Sequence, residues 1–111
     1  MAMTMAEKII ARAAGKSEVH AGDIETVTLD YMMSNDGTTH LTIGMYENLK
    51  HPRIADKNKL VWIVDHNVPA DSVKTASSHK KMRDFARANG IAFYEGEGVC
   101  HQIMLEKYVS P

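Results

Sequence analysis

The sequence predicts an α/β fold in which a partly parallel sheet is flanked by helices. Leu60-Val61-Trp62-Ile63-Val64 is an unbroken apolar run, mostly β-branched or aromatic, and a run without polar alternation marks a strand covered on both faces. A helical pattern follows, opened by Pro69 and Asp71 and ended by Asn89-Gly90, and a short apolar stretch, Ile91 to Tyr94, comes after it. Strand, helix, strand in that order is a βαβ unit with a right-handed crossover. The length of 111 residues suits one small domain or a piece of a larger one, and 44% hydrophobic with 24% charged residues is a mixture that folds rather than staying disordered.

Thr4 with Glu7 three residues later has capping-box spacing. Met5, Ile9, Ile10 and Ala13 then supply an apolar helix face, and Gly15 is a suitable stop. His20 to Gly22 reads as a turn. Ile24 to Met33 reads as extended, on the alternation of Ile24, Val27, Leu29 and Tyr31. Ser34-Asn35-Asp36-Gly37-Thr38 is a cluster of turn and cap residues. A short helix from Thr38 or Thr39 follows, with Leu41, Met45 and Leu49 as its apolar positions. A polar loop through His51-Pro52-Arg53 and Asp56-Lys57-Asn58 leads to the clear strand. The long helix carries Val73, Ala76, Met82, Phe85 and Ala86, with Lys80, Lys81, Arg83 and Arg87 as a solvated face. Glu95 to Gly98 is a turn, and Val99 to Tyr108 forms a last short helix. The methionines at 3, 5, 32, 33, 45, 82 and 104 read as core fillers. Nothing in composition marks a second domain, so residues 1–111 read as one unit.

Several function classes fall away at once. Lys+Arg 13 against Asp+Glu 14 leaves a formal charge of -1, which removes the electrostatic case for nucleic acid. No apolar run approaches membrane-spanning length. No secretory signal is evident at the start, and one cysteine excludes an internal disulfide framework, so the expected compartment is the cytoplasm.

In open α/β sheets, ligands bind beyond the carboxyl ends of the strands. That rule singles out Asp65-His66, directly after the clear strand, and Gly96 to His101, after the next one. An imidazole beside a carboxylate can hold or release a proton near neutral pH, and two imidazoles with one carboxylate suit hydration or dehydration chemistry. The expectation is that His66 and His101 face one cavity, with Asp65 close to an imidazole. The plain alternatives are a turn with local hydrogen bonds at Asp65-His66 and a buried, inert thiol at Cys100. A zinc site from His66, Cys100 and His101 has no recognised ligand spacing. His20, His51 and His79 have no spacing that singles them out.

Four blocks, in this order and at comparable spacing, carry a resemblance to a known family: Met3-Thr4-Met5-Ala6-Glu7-Lys8-Ile9, Asn35-Asp36-Gly37-Thr38, Val64-Asp65-His66-Asn67-Val68-Pro69, and Gly96-Glu97-Gly98-Val99-Cys100-His101-Gln102. Over essentially all its residues the chain resembles the N-terminal part of aconitase-superfamily large subunits, nearest to those of isopropylmalate isomerases and their homoaconitase-like relatives. The resemblance implies a fragment of an aconitase-type iron–sulfur domain. It implies a hydro-lyase that isomerises a hydroxy-acid by removing and re-adding water, with a [4Fe-4S] cluster and a separate small subunit. By the same resemblance Asp65, His66 and His101 are catalytic, His66 assisting the departing hydroxyl, while Asp36, Thr38 and His40 lie near the substrate. The family's cluster-ligating cysteines lie beyond this stretch and Cys100 does not match one, so the resemblance implies no metal ligand here and no dehydratase activity from these residues alone. The rival reading is a non-catalytic assembly domain.

Overall fold

A computed structural model of the chain describes residues 2–109. It divides into two compact units, Met1–Asp30 and Tyr31–Pro111. Composition gives no hint of this boundary, which falls inside the segment expected to be a strand.

The first unit is one helix and an irregular return. Helix α1 (Met5–Ala14) begins as its cap residues require: Thr4 Oγ1 accepts from the Glu7 N–H, and the Glu7 carboxylate accepts from the Thr4 N–H at 2.7 Å. It ends at Gly15, whose φ of 69° is open to glycine at little cost. The return is tied by the Thr28 N–H to the Ala13 carbonyl and by a Lys16–Glu25 ion pair, and the His20 to Asp23 turn closes as expected. The apolar face is not the expected one: Met5 and Ile9 are exposed, and the helix buries Ala11, with Val19 also buried in this unit. Ile10 and Val27 line a hollow of about 530 Å³. The segment expected to be extended, Ile24 to Met33, enters the sheet only at its end. Only Met32–Asn35 pairs with another strand, and Ile24 is fully exposed. Alternating side chains do not make a strand where there is neither a ladder nor a core to receive them.

The second unit is the α/β part. Strands β1 (Met32–Asn35), β2 (Leu60–Val64) and β3 (Ala92–Glu95) form a three-stranded sheet in that order. Both pairings are parallel, with Ser34 opposite Trp62 and Trp62 opposite Phe93. Helix α2 (Thr39–Glu47) and a short 3₁₀ turn (Lys57–Lys59) connect β1 to β2, and α3 (Val73–Asn89) connects β2 to β3. Helix α4 (Cys100–Lys107) follows β3.

The two-faced burial of β2 is the organising fact. Because alternate residues of a strand point to opposite faces, Trp62 and Val64 pack with Ile43 of α2 and Met82 and Ala86 of α3. Val61 and Ile63 pack on the other face with Cys100, Ile103 and Met104 of α4. Trp62 stacks on Phe85 with ring centroids 5.4 Å apart. The continuous apolar run is therefore two alternating faces, each with its own cover. Outside this core the expectations fail in a consistent way. Leu41, Met45 and Leu49 are exposed while α2 buries Thr39 and Ile43. On α3, Val73 and Ala76 are exposed and His79 takes a buried place. Of the methionines, Met82 and Met104 are buried, but Met5, Met32 and Met45 are exposed. Helical phase is set by what the sheet offers, and α2 meets it through Thr39 and Ile43 while α3 buries His79, Met82 and Ala86.

Met82, fully buried beneath β2, should be costly to truncate: Met82→Ala is expected to lose about 2–5 kcal/mol of stability in urea unfolding. A loss below about 1 kcal/mol would show that this face of the sheet is not the core.

Candidate active site

The carboxyl ends of the three parallel strands lie side by side, so the residues immediately after them are neighbours. After β1 comes Asp36, after β2 come Asp65, His66 and Asn67, and after β3 the turn runs to the start of α4. The Gly96 N–H bonds the Val64 carbonyl at 3.0 Å, so the β2 and β3 ends stay together as both chains leave the sheet.

Asp36 is the hub. Its side chain is completely buried, and its carboxylate accepts from three successive backbone N–H groups of the β2 exit. These are Asp65 at 3.5 Å, His66 at 3.1 Å and Asn67 at 2.9 Å. The Asn67 side-chain amide adds a longer contact at 3.5 Å. Burial pushes the Asp36 carboxyl up, but the N–H groups of Asn67, His66 and Asp65 together outweigh it and hold the pKa below the usual aspartate value. The residue stays ionised and is spent on the chain itself. Thr39 secures the same corner, its hydroxyl donating to the Asn35 carbonyl at 2.6 Å.

Asp65 links two elements. One oxygen lies 2.7 Å from His66 Nδ1, and the other accepts the Cys100 N–H at 2.7 Å. The residue preceding α4, Val99, has no side chain able to cap it, so Asp65 satisfies a helix-terminal N–H from across the sheet edge. Burial again raises its pKa, while the Cys100 N–H and the His66 ring lower it by more. His66 is half exposed, and its pKa is raised, first by the hydrogen bond to Asp65, then by that carboxylate's charge, with Asp36 adding at 3.5 Å. An exposed imidazole held by a buried-side carboxylate is well arranged to present a proton to something outside.

His101 joins one link further on, its Nδ1 lying 3.3 Å from the Cys100 sulfur. The structure thus brings Asp36, Asp65 and His66 into direct contact and connects His101 through Cys100. His40 meets the cluster at the Asp36 backbone, with Nδ1 3.4 Å from that carbonyl. Thr38 is exposed and contributes its own carbonyl to the start of α2, with no side-chain cap. One member was illegible in sequence: His79 of α3, buried, with Nε2 3.4 Å from Asp36 Oδ2. The signal available was its phase, since His79, Met82 and Ala86 share one helix face.

Asp65, His66 and Cys100 offer donor atoms within 4.8 Å of one another. Their chemistry does not suit a metal as arranged. Both Asp65 oxygens already have partners. Burial, then the Asp65 carboxylate, push the Cys100 thiol above its ordinary pKa, whereas a metal requires thiolate. Nor can one cysteine hold an iron–sulfur cluster. Among the described residues no helix is long and apolar enough to cross a membrane.

No protein-family model matches the chain. Individual proteins do. It is 46% identical over 109 residues to "3-isopropylmalate dehydratase large subunit 1" of Methanopyrus kandleri, covering 96% of this chain and 26% of that protein. It is 41% identical over 114 residues to "3-isopropylmalate dehydratase large subunit 1" of Archaeoglobus fulgidus, covering 100% of this chain and 27% of that protein. It is also 38% identical over 116 residues to "Probable methanogen homoaconitase large subunit" of Methanothermobacter thermautotrophicus, covering 98% of this chain and 27% of that protein. The chain therefore spans about a quarter of the length of the curated relatives it matches. With Asp65-His66 and the Cys100-His101 turn set at adjoining strand ends, the chain is homologous along nearly its whole length to part of the isopropylmalate dehydratase and homoaconitase large subunits of the aconitase superfamily.

Proposed function

We propose that these residues form the proton-transfer wall of a hydro-lyase, most simply a 3-isopropylmalate dehydratase large subunit. That enzyme would act in the cytoplasm on the hydroxy-acid isomers of leucine biosynthesis, together with a small subunit. The observation that carries this reading is the Asp65–His66 pair, hydrogen-bonded at 2.7 Å and half open to solvent at the carboxyl edge of a parallel sheet. In the reading, protonated His66 donates to the hydroxyl as it leaves carbon, and Asp65 stabilises the imidazolium beforehand. His101 serves the second proton transfer. The [4Fe-4S] cluster of such an enzyme is carried by residues outside these 111, since Cys100 is the one cysteine here, and the fragment alone is inactive. Thr38 and His40 line the substrate side. Asp36, by contrast, holds the His66 backbone in place and does not touch substrate, because its carboxylate is buried and taken. A substrate of the homoaconitase type is the second choice, supported by the name of the methanogen relative.

The decisive assay uses the complete large subunit with its small subunit, offered isopropylmalate and homoaconitate in turn. His66→Ala should lower kcat by about 100-fold or more; turnover within a few-fold of the parent would remove that imidazole from the reaction. Because the Asp65 bond raises the His66 pKa, activity that needs imidazolium should fall as pH rises through that raised value. Asp65→Asn removes the charge and leaves a weaker, neutral amide acceptor, so the alkaline limb of the kcat profile should move to lower pH. An unmoved limb would assign it to another group.

Asp36 yields a stability test with its own sign. A carboxylate whose pKa is lower folded than unfolded stabilises the fold above its unfolded pKa, and the contribution is lost as pH falls through the folded one. Asp36→Asn should cost on the order of 2 kcal/mol at neutral pH, and the gap to the parent should narrow in acid. An equal gap at all pH values would show that charge at this position does not matter.

A further inference from the structure

We propose that His79 is a positioning residue for this site: its Nε2 carries the ring hydrogen and lies against Asp36 Oδ2, so that helix α3 backs the carboxylate which grips the His66 backbone. His79 is buried, with 4% of its surface exposed. Its Nε2 lies 3.4 Å from Asp36 Oδ2, in contact but off the line of a formed hydrogen bond, and has no hydrogen-bond partner among the described residues. A buried polar atom without a partner is costly. Which nitrogen bears the hydrogen then follows from what faces it. A bare Nε2 would set its lone pair against an ionised carboxylate in a place that water does not reach, whereas Nε2–H sets a donor against an acceptor.

The neutral Nε2–H tautomer is enough for this, so the inference does not need the ring to be charged. The charged groups around it are Asp36 from the β1 exit, Asp71 from the loop before α3, and Glu95 from the end of β3. His66 meets the same Asp36 carboxylate on its other oxygen, at 3.5 Å. Two imidazoles from different elements thus flank one buried acid, the exposed one available to a substrate and the buried one holding the acid's orientation. The consequence for catalysis rests on the role proposed above for His66; the placement of the hydrogen does not.

Long-range proton–nitrogen NMR of the histidine rings in the intact protein tests it directly. Hydrogen on His79 Nε2 is the expected result, and hydrogen on Nδ1 alone overturns the inference without any variant. His79→Phe keeps bulk and removes the donor. Amide exchange at His66 and Asn67 should then speed up by about 10-fold or more, and the His66 titration midpoint should shift. His79→Gln restores a donor and should bring both readouts back towards the parent. Exchange and midpoint unchanged in His79→Phe, or no recovery in His79→Gln, would reduce His79 to packing. Should His79→Phe fail to fold, the parent ring spectrum and the Gln variant still decide. Loss of the proposed hydro-lyase role, seen as full turnover in His66→Ala, would leave the ring spectrum untouched, so the two failures can be told apart.

Discussion

The site depends on one buried negative charge. Asp36 sits at the end of the first strand, and its two oxygens collect the backbone N–H groups of the three residues that leave the second. A strand exit normally leaves its amides to water or to a following helix. Here a neighbouring strand supplies the acceptor, which fixes the turn and the direction in which the Asp65 and His66 side chains depart. The ion is tolerated in a dry place because each of its oxygens has donors. Parallel pairing is what makes the arrangement available, since it brings both carboxyl ends to the same edge.

That edge explains why two aspartates so near each other behave differently. Asp36 faces inward and is satisfied by main chain, so it acts as scaffold. Asp65 faces the rim and divides itself between a ring and a helix end, so it tunes a neighbour. His66 and His79 divide along the same line, one half open and one enclosed. Pairs of like residues in unlike surroundings are how a small set of groups acquires separate tasks.

The sequence made the sheet legible because β2 is apolar throughout and both of its faces need covering, which demands helices on either side. Caps were legible too: Thr4, Glu7, Gly15 and Gly90 act through bonds to their own neighbours, which local spacing specifies. The apolar phases of α1 and α2 were not. Met5, Leu41 and Met45 match a helical period, but a period does not say which side the sheet will lie on, and Thr39 and Ile43 hold the buried face of α2. Asp65-His66 could be read as a candidate because both residues sit directly after the clearest strand. His79 could not, because its meaning comes from Asp36, 43 residues away in sequence and brought near only by the sheet.

Asp65 ties two parts of the fold together. Its two oxygens rest on separate bodies, an imidazole at one end of the β2 exit and the opening amide of α4 at the other. A shift of that helix along its axis would drag the carboxylate with it and slacken its hold on the ring. Anything that leans on α4 therefore has a mechanical lever on how readily His66 keeps its proton.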